Sequence, residues 1–546
     1  MQPATRVHLP LFALLAVTAA AYSGVVNAGY ILDDGPLAVG NATLDAPTWS
    51  AVFLTDLWAG VGNAGSGYHR PLMTVSLLAD RLLTGSQPWA AHLQSLGWHL
   101  AAIIAAYAAV VQRAPPAGAL LAAGLFALHP LQSEAVIWVS ARNDLMGAAF
   151  IFATLAIAGA SDGRVRWLAA ITTIAACWSK ELGYLLPVAW VLWEAAWGAR
   201  VTLRSAIPIL AGVLLAGSVR ALATLQPPPL HASLVPMGAT EVGHVVLQVA
   251  SWFVRPRPLT STHTLYSAFP SGFTLVTALV AGVGCAGLVL RHRGRGWALV
   301  ALAILFLAPS LVGTWWYAVV GERYAYLAIF PVAVGIAIGG AEDWPRLSSG
   351  KGRAVGFIVA AVAAYAAAQI HARVPDWATD LTLYERAVSV APDSYSWQQL
   401  GDARARAGDE SGAFEANARA LDARPVARAA CRTIGRRARG VLGASAAIPV
   451  IPAWVAAGCR GARDFDGDVI MILVEAQRWP EAAAWLEATT VRDDRGRDRV
   501  VRAALADREG DVLNAGLEAV YWPQGAGSMR GHIANLTQRP RPTTPP

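Results

Sequence analysis

Long apolar runs alternate with short polar segments from the N-terminus to about residue 371. An apolar run of about 20 residues is long enough to cross a bilayer as a helix. By this criterion we predict about eleven spans. They lie near residues 9–28, 90–111, 117–131, 144–160, 165–178, 182–198, 203–223, 271–290, 297–314, 324–341 and 354–371. The pattern predicts an all-α, polytopic bundle of membrane helices over residues 1–371.

The first apolar run, residues 9–28, begins shortly after Arg6. A signal peptide has a shorter apolar stretch of roughly 7–15 residues. We therefore predict an uncleaved first span, although Val26, Asn27 and Ala28 could pass as a cleavage site.

The short loops on one side of the predicted bundle are basic. With the N-terminus in the cytoplasm, the cytoplasmic loops hold Arg113, Arg164, Arg166, Arg200, Arg204, the run 291–295, Arg346, Lys351 and Arg353. The positive-inside rule requires this distribution, and an odd number of spans places the C-terminal part outside. The outer side carries two long segments, 29–89 and 225–270, with predicted surface helices at Pro71–Thr84 and His244–Val254.

From about Val374, charged residues return and Ala-rich helical patterns replace the apolar runs. Consensus positions of a tetratricopeptide repeat are occupied by Trp397, Leu400, Gly401, Ala413, Ala420 and Pro425. Segments Tyr384–Pro392 and Trp479–Leu486 resemble parts of neighbouring repeats. Because one repeat cannot bury its own apolar face, neighbours must stack on it. We predict a C-terminal α-solenoid of degenerate tetratricopeptide-like repeats at residues 372–530 and a disordered tail at residues 531–546.

The composition is that of a membrane protein. Hydrophobic residues make up 55% of the 546 residues and charged residues 14%, whereas an ordinary soluble domain has about 25% charged residues. Much of the net charge of +7 lies in short loops, so it indicates orientation in a membrane and no nucleic-acid partner. Cys177 and Cys285 lie in apolar runs, whereas Cys431 and Cys459 could form a disulfide if the C-terminal part is extracytoplasmic.

Ionisable groups at membrane depth are costly and usually functional. In the predicted topology, polar residues at the span ends share the outer side: Asp33, Asp34, His69, Arg70, His129, Glu134, Arg142, Asn143, Asp144, Lys180, Glu181, Glu322, Arg323 and Tyr324. Taken singly, each has a structural interpretation, such as a turn at the aspartates or a lipid-headgroup anchor at an arginine. Together they combine carboxylates able to deprotonate a hydroxyl with cations suited to a phosphate.

Six short motifs occur in one order between residues 30 and 330: Asp33–Asp34, Tyr68–Leu72, Leu128–Trp138, Ala141–Leu145, Ser179–Glu181 and Glu322–Leu327. The ordered set resembles the integral-membrane glycosyltransferases of the GT-C superfamily, and more closely the transmembrane and tetratricopeptide-repeat (TMTC) proteins and their bacterial relatives. This resemblance implies an active-site cavity formed by outer-face interfacial helices. It also implies a sugar on a polyprenyl phosphate as the donor, and Asp33 or Asp34 as the catalytic residue. Glu322 stands where the family commonly has Asp.

We therefore expect a glycosyltransferase that moves a sugar such as mannose from a polyprenyl phosphate to an acceptor hydroxyl. Asp33 or Asp34 would deprotonate that hydroxyl, and the donor phosphate would be bound by His69, Arg70, Arg142, Lys180 and Arg323. Supporting positions are His129, Glu134, Asn143, Asp144, Glu181, Glu322 and Tyr324. The sequence shows no specific metal-ligand spacing, although the two aspartates could alternatively hold a divalent cation.

Other functions stay open. A polysaccharide polymerase or ligase of the outer face would rely on residues 225–270, and a transporter would show matched halves and mid-span charges. A membrane-anchored repeat scaffold would act through its repeats alone. For the transferase, stacked repeats favour a protein or peptide acceptor, with a glycolipid or cell-wall glycan as the alternative. The Ala- and Arg-rich composition suggests a bacterium, which places the protein in the inner membrane with its site and C-terminal domain in the periplasm.

Overall fold

The computed structural model describes residues 4–62, 66–223, 239–255, 260, 263–264, 272–292, 294–312, 319–341, 350–423, 428–462, 464–476, 478, 481–482, 484–485 and 488. The chain divides into two compact units, the first ending at Ala391 and the second beginning at Pro392. The predicted domain boundary, between residues 371 and 372, lies within the first unit. Most of the outer segment 225–270, Arg346, Pro425, much of Trp479–Leu486 and the tail 531–546 lie outside the described residues.

Helices form nearly all of the regular structure described in the first unit. The longer helices are Ala4–Ala21, Pro71–Thr84, Pro88–Val111, Pro116–Ala127, Arg142–Ile157, Gly163–Ser179, Leu186–Ala196, Leu203–Leu222, Ala239–Val254, Gly272–His292, Gly294–Val312, Ile329–Ala341, Gly350–Arg373 and Asp380–Val390. Shorter helical segments are Ser23–Asn27, Gly35–Val39, Ala42–Asp45, Trp49–Phe53, Ala59–Val61, Gln132–Ile137, Val139–Ala141, Glu181–Leu185, Glu322–Ala325 and Val374–Trp377. One antiparallel pair of two-residue strands joins His263–Thr264 to Val319–Val320. The predicted all-α class is confirmed.

The helices begin and end at recognisable sequence signals. Proline opens the helices that start at Pro71, Pro88 and Pro116, because its fixed φ suits the first turn and its missing N–H is not needed there. Thr202 caps the apolar helix Leu203–Leu222 through its side-chain oxygen. The helix predicted at Pro71–Thr84 has those bounds, and it stops at Gly85, which has a φ of 65°.

Four described segments are long and apolar enough to cross a membrane: Leu9–Asn27, Pro88–Val111, Leu203–Leu222 and Gly350–Trp377. In the last of these only 6% of the most apolar window is buried within the protein, and Phe357 and Ile358 are exposed. A helix with apolar side chains all around it is suited to lipid. The chain is therefore an integral membrane protein. Every other predicted span overlaps a further described helix, and the number of about eleven spans stays a prediction.

Aromatic packing fixes the helices whose ends carry the polar residues. The rings of Phe152 and Phe330 lie 4.2 Å apart between centroids, and Phe126 meets Phe152 edge-on at 5.3 Å. All three rings are fully buried. They join the helices Pro116–Ala127, Arg142–Ile157 and Ile329–Ala341, so the loops at the ends of these helices have a rigid base.

The second unit is also helical. Its described helices are Ser394–Arg406, Glu410–Asp422, Arg428–Leu442, Ala444–Ala447, Ile448–Val450, Ile451–Ala456 and Phe465–Glu475. Asp393 and Asp409 cap the first two helices, which pack against each other in the helix–turn–helix form expected of one repeat. The tetratricopeptide solenoid itself stays a prediction. Cys431 and Cys459 form a disulfide within the core of this unit.

Candidate active site

The acidic pair lies in a loop that follows the first helical segment. The backbone N–H of Leu32 donates to the Asp380 carboxylate at 2.9 Å, so the chain beyond the last apolar helix holds this loop. Leu32 has a φ of 51°, a left-handed conformation that is uncommon for leucine. Strain of this kind is concentrated at functional sites, and here it immediately precedes Asp33 and Asp34.

Asp34 points into the protein and is fully buried. Its Oδ1 accepts hydrogen bonds from the Ser140 backbone N–H at 2.7 Å and from the Ser140 hydroxyl at 2.5 Å. Its Oδ2 accepts a hydrogen bond from the Ile31 N–H at 3.3 Å. Burial raises the pKa of Asp34 to about 7, although the Ser140 hydrogen bonds favour the ionised form. Asp34 thus holds the acidic loop against Ser140 through three hydrogen bonds.

Asp33 has the opposite environment. It is partly exposed, and within the described part of the chain its carboxylate has no hydrogen-bond partner. Burial raises the pKa of Asp33, and the positive charge of Arg323 partly offsets that rise. A carboxylate with open lone pairs can accept the proton of a ligand hydroxyl. The structure therefore gives the two neighbouring aspartates different surroundings.

Three cations from different elements meet near the loop: Arg70, Lys180 and Arg323. Arg70 donates from Nε and Nη2 to the two oxygens of Glu181, at 3.0 Å and 2.7 Å. Lys180 pairs with Asp144, and Arg323 pairs with Glu134. The negative charge of Asp144 acts on both arginines as well as on Lys180, so the three ion pairs form one cluster.

The protonation states in this cluster follow from burial and pairing. Burial alone would raise the pKa of Glu181, but the charge and hydrogen bonds of Arg70 outweigh burial and hold that pKa below its usual value. Burial lowers the pKa of Lys180, and Asp144 opposes that shift. Among the described residues, Arg70 Nη1 and Arg323 Nη2 donate to no protein group. These two N–H groups are left to donate to an anionic ligand.

Arg142, predicted to bind the donor phosphate, is not brought into this cluster. Its side chain is fully buried and pairs with Asp80 at 2.7 Å. It also donates to the Ser76 and Ser95 hydroxyls at 2.6 Å and 3.1 Å, and to the Ala91 carbonyl at 2.7 Å. These bonds join the helix Arg142–Ile157 to the helices Pro71–Thr84 and Pro88–Val111. In this structure Arg142 joins helices and has no exposed surface for a ligand.

The remaining predicted residues surround the cluster. Asn143 donates to the Ser140 carbonyl at 2.7 Å, and Tyr324 places its ring 5.0 Å from the Arg323 guanidinium. Glu322 accepts a hydrogen bond from the Thr260 N–H at 2.7 Å. The two predicted histidines, His129 and His69, also have polar contacts. His129 Nδ1 accepts a hydrogen bond from the Leu131 N–H at 3.3 Å, and His69 Nε2 lies 2.8 Å from the Phe53 carbonyl oxygen.

Three side chains that contact predicted site residues were not themselves predicted from the sequence. Ser140 holds Asp34, Asp80 pairs with Arg142, and Arg373 pairs with Glu322 at 2.6 Å. Arg373 had a sequence signal, because it ends the last long apolar helix on the side where the other polar residues lie. Ser140 and Asp80 had none, since a serine or an aspartate in a helical outer segment is ordinary.

The described residues contain no group of three or more His, Cys, Asp or Glu side chains that could hold a metal ion. At Asp34, Oδ1 accepts two hydrogen bonds from Ser140 and Oδ2 accepts one from Ile31. A divalent cation at the two aspartates stays an open alternative.

Comparison with curated proteins gives relatives of one kind. The chain is 35% identical over 130 residues to the protein O-mannosyl-transferase Tmtc2 of Drosophila melanogaster, covering 23% of this chain and 14% of that protein. It is 34% identical over 151 residues to Tmtc1 of the same organism, covering 26% and 17%. It is 26% identical over 169 residues to TMTC3 of Mus musculus, covering 30% and 18%. The resemblance to the TMTC proteins is confirmed.

The TMTC-like similarity covers about a quarter of this chain and less than a fifth of each relative. The chain thus matches only a small part of the length of its curated relatives. No family model matches the chain, and no solved structure matches it.

Proposed function

We propose that this protein is a membrane glycosyltransferase that moves mannose from a polyprenyl phosphate to a serine or threonine hydroxyl of a protein. The observation that carries the proposal is the open carboxylate of Asp33 beside a cluster of three cations at helix ends. The relatives named protein O-mannosyl-transferase support the sugar and the class of acceptor.

In the proposed reaction the oxygen of the acceptor hydroxyl attacks the anomeric carbon of the sugar. Asp33 accepts the hydroxyl proton as the new carbon–oxygen bond forms. The bond between the anomeric carbon and the phosphate oxygen breaks, and its electron pair leaves with the polyprenyl phosphate. This single displacement inverts the configuration of the anomeric carbon. A phosphate is a good leaving group, so the departing oxygen does not need a proton donor.

The cations act on the phosphate. Arg323 and Arg70 each have an N–H group that no described protein acceptor uses, and the charges of both act on Lys180. Preorganised donors aimed at a developing negative charge typically contribute on the order of 100- to 1,000-fold in rate. We assign phosphate binding to these three residues. Asp34, Ser140 and Arg142 position the loop and the helices that carry them, and do not touch the substrate.

Two observations support an extracytoplasmic site. In the helix Gly163–Ser179, Arg164 and Arg166 lie at the start, whereas Lys180 follows its end, so the basic loop and the site lie at opposite ends of one helix. The Cys431–Cys459 disulfide supports an oxidising compartment for the second unit. In a bacterium, the protein would lie in the inner membrane and its active site and second unit would face the periplasm. We assign binding of the protein acceptor to the helical repeats of the second unit.

The test is transfer by the purified full chain, with polyprenyl-phosphate mannose as donor and a serine- and threonine-containing peptide as acceptor. Asp33→Asn should lower kcat by about 100- to 10,000-fold, the range expected for loss of a general base. Asp45→Asn is the matched control, because Asp45 lies in the same outer segment with its side chain 65% exposed. A wild-type rate in Asp33→Asn would show that this aspartate is not the base.

The donor and the acceptor are tested separately. If wild-type protein transfers no sugar from any polyprenyl phosphate, the proposed donor class is wrong. Mass spectrometry of exported proteins, from cells with and without the chain, should show the loss of one hexose from serine or threonine residues. A glycan lost from lipid or cell wall alone would contradict the protein acceptor.

A further inference from the structure

A second group of polar side chains lies beside Arg70 and has no part in the proposed proton transfer. Within the described part of the chain, four buried polar atoms there have no hydrogen-bond partner: His69 Nδ1, Trp178 Nε1, Tyr184 Oη and Arg220 Nη1. Buried polar groups in folded proteins are nearly always hydrogen-bonded. Four such atoms in one region mark it as a candidate ligand site.

A chain of contacts joins three of these side chains. Arg220, near the end of the helix Leu203–Leu222, donates from Nη2 to the Gly67 carbonyl at 2.9 Å, two residues before His69. His69 in turn lies against Phe53, whose carbonyl oxygen is 2.8 Å from Nε2. The ring of Phe53 meets the ring of Trp178 edge-on at 5.4 Å.

Tyr184 lies against the same end of that helix. A Cβ added to Gly217, one turn before Arg220, would lie 3.9 Å from the Tyr184 ring. The charge of Arg220 acts on both Tyr184 and His69, and so does the charge of Glu181, the partner of Arg70. The four unpaired atoms thus belong to one region, on the Arg70 side of the cation cluster.

The chemistry of the four atoms is mixed. A carbonyl oxygen only accepts, so His69 Nε2 carries the hydrogen and Nδ1 of the neutral ring is an acceptor. Burial lowers the pKa of His69, which favours that neutral ring. Trp178 Nε1 and Arg220 Nη1 can only donate, and the Tyr184 hydroxyl can do both. A bare anion would have no use for the His69 acceptor, whereas a sugar hydroxyl both donates and accepts.

We propose that His69, Trp178, Tyr184 and Arg220 form a hexose-binding subsite that holds the hydroxyls of the sugar being transferred. The subsite rests on the proposed function and identifies the residues that would select its sugar. Its place beside Arg70 is consistent with a donor in which sugar and phosphate are directly joined. Aromatic rings with a few convergent polar groups are the usual lining of a small-molecule site.

Binding is measured on the full chain in detergent micelles by saturation-transfer difference NMR, with methyl α-mannopyranoside as the probe. Tyr184→Phe keeps the ring and removes one hydrogen bond, so it should weaken binding by roughly threefold to tenfold. Arg220→Gln removes a charged donor and should weaken binding by about tenfold or more. Tyr365→Phe is the control, because Tyr365 lies on the apolar helix Gly350–Arg373 and is 61% exposed. Thermal melting of each variant reports whether it folds, and Tyr184→Phe keeps the test valid if Arg220→Gln does not.

Turnover gives a second measurement. Wild-type protein should discriminate against monodeoxy analogues of the lipid-linked donor by kcat/KM, because a site built to pair with a hydroxyl rejects an analogue that lacks it. Tyr184→Phe should lose its discrimination against one particular analogue. Equal sugar binding by wild type and both variants would overturn the subsite. Sugar binding that depends on Tyr184, without transfer from any polyprenyl-phosphate donor, would overturn the proposed reaction and leave the subsite standing.

Discussion

The ion pair between Arg323 and Glu134 occupies space that a side chain at position 321 would fill, and Gly321 has none. A Cβ at this position would lie 2.7 Å from Arg323 Nη1 and 3.3 Å from Glu134 Oε1, whereas ordinary contact begins at 3.4 Å. In Gly321→Ala the guanidinium must therefore move by several tenths of an ångström away from Glu134. The backbone of Gly321 is not the obstacle, since its φ of −80° suits alanine.

The structure gives the expected size of the effects of Gly321→Ala on stability and on kcat. The Glu134 side chain is 1% exposed, and removing the partner of a buried charge costs about 3–5 kcal/mol. Here the ion pair is distorted and not lost, since the backbone N–H of Arg323 still donates to Glu134 Oε2 at 3.0 Å. We expect the free energy of unfolding to fall by about 1–2 kcal/mol. A misplacement approaching 1 Å costs about 100-fold in rate, so kcat should fall by roughly tenfold to 100-fold.

The assay compares kcat, KM and Tm of Gly321→Ala with those of Gly97→Ala. Gly97 lies in the helix Pro88–Val111, where an added Cβ meets nothing within 4 Å, so alanine there should stabilise the helix by about 0.5–1 kcal/mol. A kcat of Gly321→Ala equal to wild type, with a lowered Tm, would remove Arg323 from the transfer step. Unchanged kcat and Tm together would refute the crowding itself.

Three further predictions concern protonation and the disulfide. Burial raises the pKa of Asp33 above its usual 3.8. Because the proposed base acts as a carboxylate, kcat/KM should decline on acidification with an apparent pKa above 3.8. An apparent pKa near 3.8 in the pH–rate profile would contradict this. The pKa of Asp34 is about 7 in the folded chain, above the usual 3.8, so its protonated form favours folding. That stability is fully present below about 3.8 and is lost as pH rises from there through about 7. Asp34→Asn should abolish the decrease of Tm with rising pH. Ser140→Ala removes one hydrogen bond to the Asp34 carboxyl group and should lower Tm at every pH. Equal dependence of Tm on pH in wild type and Asp34→Asn would refute the raised pKa of Asp34. The Cys431–Cys459 bond closes a loop of 28 residues, so Cys431→Ser with Cys459→Ser should destabilise the second unit by about 3–4 kcal/mol in chemical denaturation, and an unchanged midpoint would contradict it.

Hydrophobic patterning located the helices because lipid leaves few alternatives. Where backbone groups cannot bond to water, an apolar run must form a helix, so runs such as 203–223 were found nearly to the residue as Leu203–Leu222. Helix ends were less predictable. The run 182–198 became a helical turn followed by Leu186–Ala196, since apolarity does not reveal how the chain turns after Lys180.

The cation cluster could be foreseen because two of its members share a simple signal, a charge at the end of an apolar run. Lys180 and Arg323 have that signal, whereas Arg70 directly precedes the predicted surface helix Pro71–Thr84, and the structure brings the three together. Arg142 has the same signal and lies instead in a buried network with Asp80. Sequence position does not reveal how many partners a guanidinium finds, and five donors allow Arg142 to bridge several segments at once.

The Asp33–Asp34 pair shows why adjacent candidates cannot be separated from the sequence. Neighbouring side chains leave a loop in different directions, so only one of the two can face a common ligand. Which of the two aspartates turns inward depends on Ser140, more than a hundred residues along the chain. The backbone N–H and hydroxyl of Ser140 both donate to one oxygen of Asp34. That double contact draws Asp34 inward, and Asp33 is then left open beside Arg323. The identity of the proposed base thus depends on a serine that has no chemical signal of its own, and a variant at Ser140 should affect the proposed reaction only by moving Asp33.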